Sequence, residues 1–171
     1  MLAAAQAGRK ALDLPVTWKF RQDPKDEGLM ARWFETTPDA TWRDICVDES
    51  WTTQEAGKGY HGTAWYSVEF TVPTDAAKNA ARTVVRQEGW QDTELARFHL
   101  LFDAVDGVCN VWLDGKPVSV ASRGEPAWDK PFALDLGTEA IKPGRGHRLV
   151  VMVNKKSNAA GIWKPVELRV K

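Results

Sequence analysis

The stretch GVCNVWLDGKPVSVA, residues 107–121, carries the strongest local structural signal in the chain. Two runs in which apolar and polar residues alternate flank Asp114-Gly115, and this alternation is the period of a β-strand. Asp-Gly is favoured in a two-residue type I′ turn because both central residues of that turn need a positive φ. The stretch therefore predicts an antiparallel hairpin that turns at Asp114-Gly115.

Similar short runs recur along the rest of the chain, with Gly, Pro and Asp turn signals between them. They are VTWKF (16–20), WRDICV (42–47), GTAWYSVEFTVP (62–73), RTVVRQ (82–87), ARFHLLFDAV (96–105), PFALDL (131–136), LVVMVN (149–154) and IWKPVELRV (162–170). About eight to nine short strands and no convincing long helix predict an all-β protein, built as a two-sheet antiparallel sandwich.

The first residues do not share this pattern. We predict that residues 1–13 are a vector-derived remnant or a disordered lead-in, and that residues 14–171 form one domain. A body of this size can bury about two thirds of its unfolded surface, which is enough for a core. The small-residue run AAAQA resembles the end of a secretory signal and favours a secreted or periplasmic location.

The charge pattern argues against several partners. Formal net charge is zero, and acidic and basic residues are intermixed, so there is no basic stripe for nucleic acid. No apolar run approaches the roughly 20 residues that cross a bilayer. We therefore expect no nucleic-acid or membrane partner, and a monomer. Cys46 and Cys109 stand far apart without a CxxC motif, which favours buried free thiols over a disulfide.

Tryptophan is unusually frequent, with nine residues against two tyrosines. Trp65 lies among Ser67, Glu69 and Thr71 on the polar side of its predicted strand. In a sandwich only one face of a strand meets the core, so Trp65 must be covered or stand exposed. We expect cover from the Trp33-Phe34 segment and from the glycine-containing loop before the strand. Trp65 is then a structural residue.

Catalytic motifs are missing from the sequence. It has no GxSxG, phosphate loop or HExxH, and its three histidines are scattered. His99 alternates on a strand and is predicted to be structural. Asp103 and Asp106 bracket a strand end, which leaves a glycosidase-like carboxylate pair as a minor alternative. We expect no catalytic residue, metal or cofactor, although loop carboxylates leave room for a structural Ca²⁺ ion.

The predicted loops are rich in aromatic, amide and charged residues, which suit sugar recognition. A pyranose stacks its C–H face on an aromatic ring, and planar polar groups hold its hydroxyls. We assign stacking to Trp128 or Trp90. The further candidates for carbohydrate contact are Tyr60, His61, Asp106, Arg123, Asp129, Asn158 and Trp163. The alternative is that most of the tryptophans are core residues, which we favour for Trp18 and Trp112.

A family resemblance covers roughly residues 14–170. It is carried by LPVTWKFRQDP, Trp33-Phe34, WRDICV, Trp51, YHGTAWY, FTVP, LFDAVD, VWLDGK, Pro131-Phe132, KPG and GIWKPV, in that order. These blocks resemble the N-terminal sugar-binding domain of family 2 glycoside hydrolases, the β-galactosidase and β-glucuronidase group. The chain departs from the pattern in three places: Asp114 replaces the usual Asn, GRGHRL replaces G-x-N, and RQEGWQDTELAR is longer than usual.

The resemblance implies a galactose-binding-like jelly roll in a bacterial polysaccharide-degrading protein. It also implies that the catalytic acid and base lie on a separate α/β barrel downstream. We therefore expect a noncatalytic module that binds an oligo- or polysaccharide, with a catalytic domain following in the parent chain. Two alternatives remain: a structural accessory domain that buttresses the barrel, and a small jelly-roll hydrolase or lyase in its own right.

Overall fold

The computed structural model describes residues 8–78, 80, 82–85, 91–121 and 128–171. These residues form fourteen β-strands and one short 3-10 turn at Trp51–Thr53. The strands are β1 Arg9–Asp13, β2 Thr17–Asp23, β3 Arg43–Cys46, β4 Gly62–Thr71, β5 Arg82–Val85, β6 Gln91–Glu94, β7 Phe98–Phe102, β8 Val105–Asp106, β9 Val108–Leu113, β10 Lys116–Ala121, β11 Phe132–Gly137, β12 Gly146–Lys155, β13 Gly161–Ile162 and β14 Val166–Val170.

The strands make two main sheets and two small pairs. One sheet has the order β1-β14-β7-β11, the other has the order β10-β9-β12-β4-β2-β3, and the small pairs are β13-β8 and β5-β6. The paired strands run antiparallel. The predicted all-β antiparallel sandwich is confirmed. The strand number is higher than eight to nine because several strands have only two to five residues.

The hairpin predicted around Asp114-Gly115 is present as β9 and β10. Lys116 pairs with Leu113, and the two turn residues have φ of 50° and 77°. The Asp114 carboxylate also joins the turn to β12, because its Oδ1 accepts from the backbone N–H of Arg148 at 2.8 Å. Its Oδ2 lies 2.7 Å from His147 Nδ1. The aspartate at this position therefore has a structural role in fixing the turn.

Strand β1 differs from the expected disordered lead-in. Arg9–Asp13 pairs along β14, from Arg9 opposite Val170 to Asp13 opposite Glu167. The Arg9 guanidinium donates to the carbonyls of Ala76 and Lys78 at 2.9 and 2.7 Å. The sequence RKALD carries no clear alternation of apolar and polar residues. Its partner strand β14 lies more than 150 residues away along the chain, so the local sequence pattern did not predict β1. Residues 1–7 lie outside the described residues.

The inner faces of the two sheets enclose one large hydrophobic core. On β4 the even-numbered residues point inward, as the alternation predicts, and on β12 the odd-numbered ones do. An aromatic group occupies the part of the core near the start of β4. Its members are Trp18, Phe20, Trp51, Tyr60 and Tyr66.

A second cluster covers the outer face of the six-stranded sheet, and Trp65 lies at its centre. The cluster contains Trp33, Trp42, Trp65, Trp112, Val150 and Met152, with Phe34 packed against it. Trp65 is fully buried, so the predicted cover by the Trp33-Phe34 segment is confirmed. The glycine-containing loop does not take part, because Trp51 and Ala56 pack into the inner core instead.

The segment of residues 24–42 provides this cover. It follows Asp23, the last residue of β2, whose carboxylate accepts from the backbone N–H groups of Glu27 and Gly28, both at 2.9 Å. The backbone N–H of Ala31 donates to the Glu27 carbonyl at 2.9 Å and closes a single turn. Further on, Arg148 of β12 donates to the Glu35 carbonyl at 2.8 Å. The cover is thus hydrogen-bonded to the sheet as well as packed on it.

The remaining general expectations concern the thiols and the membrane. Neither Cys46 nor Cys109 takes part in a disulfide; Cys109 is buried and Cys46 is half-buried. Within the described ranges, no helix is long and apolar enough to cross a membrane.

Candidate functional site

Several loops converge where β12 ends and β4 begins. Lys155, the last residue of β12, pairs with Gly62, the first residue of β4. In the β13-β8 pair Asp106 lies opposite Gly161. This pair lies beside the corner, because the Asp106 carboxylate contacts the Lys155 ammonium at 3.0 Å. The loops of residues 103–107, 128–131 and 156–165 therefore meet at one end of the six-stranded sheet. Most of the described candidate residues lie here, and we call this region the loop end.

Two tryptophans form an aromatic pair at the loop end. The ring centroids of Trp128 and Trp163 are 5.5 Å apart, with planes inclined by 31°. Trp163 is half-buried, and its backbone N–H donates to the Ala104 carbonyl at 3.4 Å. Trp128 is 48% exposed, which makes it the most exposed tryptophan that the structure describes. Trp128 therefore keeps about half of its surface open to solvent while its ring contacts that of Trp163.

Charged groups stand beside the aromatic pair. The Lys164 ammonium lies 4.9 Å from the centre of the Trp163 ring, within the range of a cation–π contact. Asp129 is exposed and directly follows Trp128. The loop end therefore combines an aromatic surface with an ammonium and a carboxylate that water can reach.

Asp106 is not at the surface. Its carboxylate Oδ1 lies 3.0 Å from Lys155 Nζ, and the two side chains are only 12% and 8% exposed. The sequence suggested that Asp106 holds a sugar hydroxyl, but the structure places it beneath the loops in an ion pair. This environment also differs from the open cleft in which a glycosidase carboxylate pair flanks its substrate. The ion pair with Lys155 therefore argues against Asp106 as one member of a catalytic carboxylate pair with Asp103.

Asn158 occupies the tip of the loop between β12 and β13. It is exposed and has a φ of 62°, a conformation that Asn tolerates better than most residues. The far side of this loop is held by Ser50, whose Oγ accepts from the Ala160 N–H at 2.9 Å and donates to its carbonyl at 3.0 Å. Asn158 is thus presented to solvent on an anchored loop.

Tyr60 and His61 precede β4. The Tyr60 hydroxyl donates to the Thr63 carbonyl at 2.7 Å, and burial raises the pKa of Tyr60. Its ring lies 6.2 Å from that of Trp51, so its contacts are mainly structural. His61 is exposed. The candidates Trp90 and Arg123 lie outside the described residues.

Sequence reasoning missed two lysines at the loop end, Lys155 and Lys164. A signal for Lys155 was present, because it follows Leu149, Val151 and Val153 at inward-facing positions of β12. A lysine at the inner end of such a run indicates a buried ion pair. Lys164 carries no comparable signal, since its contact depends on the position of the Trp163 ring.

An open groove lies at the opposite end of β4. This open groove has a volume of about 750 Å³ and includes Glu69, Asp114 and His147 in its lining. The groove has no free acid–base pair of His147 and Asp114, because His147 Nε2 accepts from the Lys142 N–H at 3.1 Å and Nδ1 contacts Asp114. Among the described residues we find no group of three His, Cys, Asp or Glu side chains that could hold a metal ion.

Comparison with known proteins gives a consistent set of relatives. The model of the sugar binding domain of family 2 glycosyl hydrolases matches residues 11–164. A β-glucuronidase of Paenibacillus borealis is 26% identical over 162 residues, which cover 88% of this chain and 22% of that protein.

Two solved structures show the same fold. A Ruminococcus gnavus β-glucuronidase in complex with D-glucuronic acid aligns with a TM-score of 0.73 and 18% identity, over 99% of this chain and 31% of that one. An uncultured Clostridium sp. β-glucuronidase aligns with a TM-score of 0.71 and 23% identity, over 100% and 30%. The chain therefore spans less than a third of the length of these relatives.

Proposed function

Because the chain belongs to the sugar-binding domain family of the family 2 glycosyl hydrolases, we propose that it is a noncatalytic module that binds saccharides. The catalytic regions of family 2 enzymes lie in their other domains. The observation that supports the binding role is the half-exposed Trp128 ring, which contacts the Trp163 ring at the loop end.

The geometry of the aromatic pair favours a sugar ring as its ligand. One face of a pyranose carries several C–H groups, which pack on an indole ring, while its hydroxyls point sideways to polar groups. Asp129 and Asn158 are exposed on loops of the same end and carry planar groups that can hold two hydroxyls each. In this proposal Trp128 stacks on the sugar and Trp163 supports it.

We infer that a uronic acid is the first ligand to test. The relatives named above are β-glucuronidases, and one of them is solved with D-glucuronic acid. The Lys164 ammonium beside the Trp163 ring could pair with the carboxylate of such a sugar. A shallow site of this kind implies weak binding, with a Kd of about 0.01 to 1 mM, or about 4 to 7 kcal/mol. The same proposal includes a catalytic domain in the parent chain, which would gain substrate proximity from this module.

A structural role is the second candidate, and the exposure of Trp128 favours it too. An exposed indole on an anchored loop would also serve as a docking point for a neighbouring domain. This alternative predicts that the isolated chain binds no free saccharide. The two candidates are therefore separated by one titration.

The test is isothermal titration of the isolated chain with glucuronic-acid-containing oligosaccharides and with neutral oligosaccharides of the same length. We expect millimolar or tighter binding, weakened at least about tenfold in Trp128→Ala, since an aromatic contact contributes about 1.4 kcal/mol. Met30→Ala is the control, because Met30 is 92% exposed on the covering segment. Absence of heat at millimolar ligand, or equal binding by Trp128→Ala, would contradict the binding role.

A further inference from the structure

Asp106 holds both ends of the loop that carries Asn158. Its side chain pairs with Lys155, where β12 ends and the loop begins. Its backbone pairs with Gly161, where the loop ends and β13 begins. Two residues later comes Trp163, which supports the exposed Trp128 ring. One residue thus closes the loop on itself and fixes the strand that leads directly into the aromatic pair.

Burial of the Asp106–Lys155 ion pair has a large desolvation penalty. Both charges are nearly removed from water, and the cost of desolvation usually offsets much of the attraction between two buried charges. Apolar residues of similar volume often stabilise a protein as well as a buried pair does. A short ionic contact of fixed geometry does, however, define one position for the groups on either side of it.

The opposite side of the loop is fixed by close packing. A Cβ at Gly161 would lie 2.1 Å from the Tyr66 hydroxyl and 2.7 Å from a carbon of the Trp51 ring. β13 is therefore packed closely on the core at this point. The ion pair adds a link between β8 and the end of β12.

We propose that Asp106 and Lys155 are positioning residues that set the geometry of the Trp128–Trp163 pair. They touch no ligand; they act through the β13-β8 pairing and the backbone of Trp163. The expected effect on affinity rests on the proposed binding function. In that function, the ion pair orders the site before the saccharide binds. A preorganised site does not have to order its side chains on binding, so removal of the pair weakens affinity.

The principal variant is the double substitution Asp106→Leu with Lys155→Met, which removes both charges and keeps the volume. Because the two members of the pair are removed together, neither is left as a buried charge without the other, and this variant is expected to fold with a melting temperature equal to or above that of the parent chain. Asp106→Asn is the simpler companion variant. Asp44→Asn is the matched control, since Asp44 and Lys19 form an exposed ion pair at 2.7 Å on β3 and β2.

The readout is ¹⁹F NMR of the chain labelled with fluorotryptophan, with the signals assigned by Trp128→Phe and Trp163→Phe. In the double variant we expect both signals to shift or broaden, while the signals of the outer-face tryptophans stay in place. Saccharide affinity should fall about tenfold, because one side chain that must be ordered on binding costs roughly that factor. Asp44→Asn should change neither signal nor affinity.

The outcomes separate this inference from the proposed function. If the parent chain binds no saccharide, the binding role fails, and the ¹⁹F signals still decide whether the ion pair positions the tryptophans. A double variant with parental Trp128 and Trp163 signals and parental affinity would overturn the inference. A fall in melting temperature with unchanged signals would overturn it too, because it would show a merely stabilising role.

Discussion

Replacing Trp65 with alanine should destabilise the fold strongly without acting on the loop end. The indole is fully buried on the outer face of the six-stranded sheet. It stacks on Trp112 with a centroid distance of 5.3 Å and meets Trp33 edge-on at 5.8 Å. Its Nε1–H donates to Asp23 Oδ2 at 2.9 Å. The substitution removes all three interactions and leaves a cavity under the covering segment.

The expected loss follows from two contributions. Truncation of a buried tryptophan to alanine costs about 3 to 5 kcal/mol, including the cavity. The Asp23 carboxylate loses one donor but keeps those of Glu27 and Gly28, which adds about 1 kcal/mol. A total of roughly 4 to 6 kcal/mol is a large part of the about 5 to 15 kcal/mol that stabilises a typical domain. At about 2 to 4 °C per kcal/mol, the melting temperature should fall by about 8 to 24 °C.

The assay is urea denaturation followed by far-UV circular dichroism, which does not depend on the fluorescence of the residue removed. Met30→Ala provides the control, because an exposed side chain should change the free energy of unfolding by less than about 0.5 kcal/mol. A loss below about 1 kcal/mol in Trp65→Ala would refute the account of the covered face. Unchanged stability with lost saccharide affinity would refute it as well.

Three other changes have expected outcomes. Gly161→Ala should lower the melting temperature far more than Gly59→Ala, because both glycines have positive φ but only Gly161 would direct a Cβ into Tyr66; equal shifts in a thermal scan would contradict this. Burial lowers the pKa of His99 below 6.5, so the neutral form is favoured in the folded state, and stability should fall as the pH drops below about 6.5. Urea titrations between about pH 7 and 5 should show a flatter profile for His99→Gln, and an identical slope would count against the assignment. Trp128→Ala should change the free energy of unfolding by no more than about 1 kcal/mol, since the ring is half exposed, and a larger loss would indicate a core role.

The sheet architecture could be predicted because its signals are local. The Asp114-Gly115 dipeptide determines a turn within two residues, and the alternation on either side determines which faces are buried. The placement of Trp65 was also predictable, since an indole on the polar side of a sandwich strand needs cover. The covering segment could be identified because Trp33 and Phe34 are adjacent aromatic residues in the connection that follows β2.

The loop end was predicted in composition but not in detail. Asp106 reads as a loop carboxylate, and its burial depends on Lys155, which lies 49 residues further along the chain. Strand β1 was missed for the same reason, because it is ordered by β14 at the other end of the sequence. The Trp128–Trp163 contact likewise joins two loops. Pairings over such distances leave no periodic trace in the sequence.

The central claim is that the tryptophans fall into two groups, one that holds the sheets together and one that meets the ligand. The most direct measurement is a titration of the ¹⁵N-labelled chain with a glucuronic-acid-containing oligosaccharide, followed through the indole N–H signals. The account predicts that the signals of Trp128 and Trp163 move with ligand, while those of Trp65 and Trp112 stay in place. Movement of the Trp65 or Trp112 signals instead, or no movement at millimolar ligand, would contradict it.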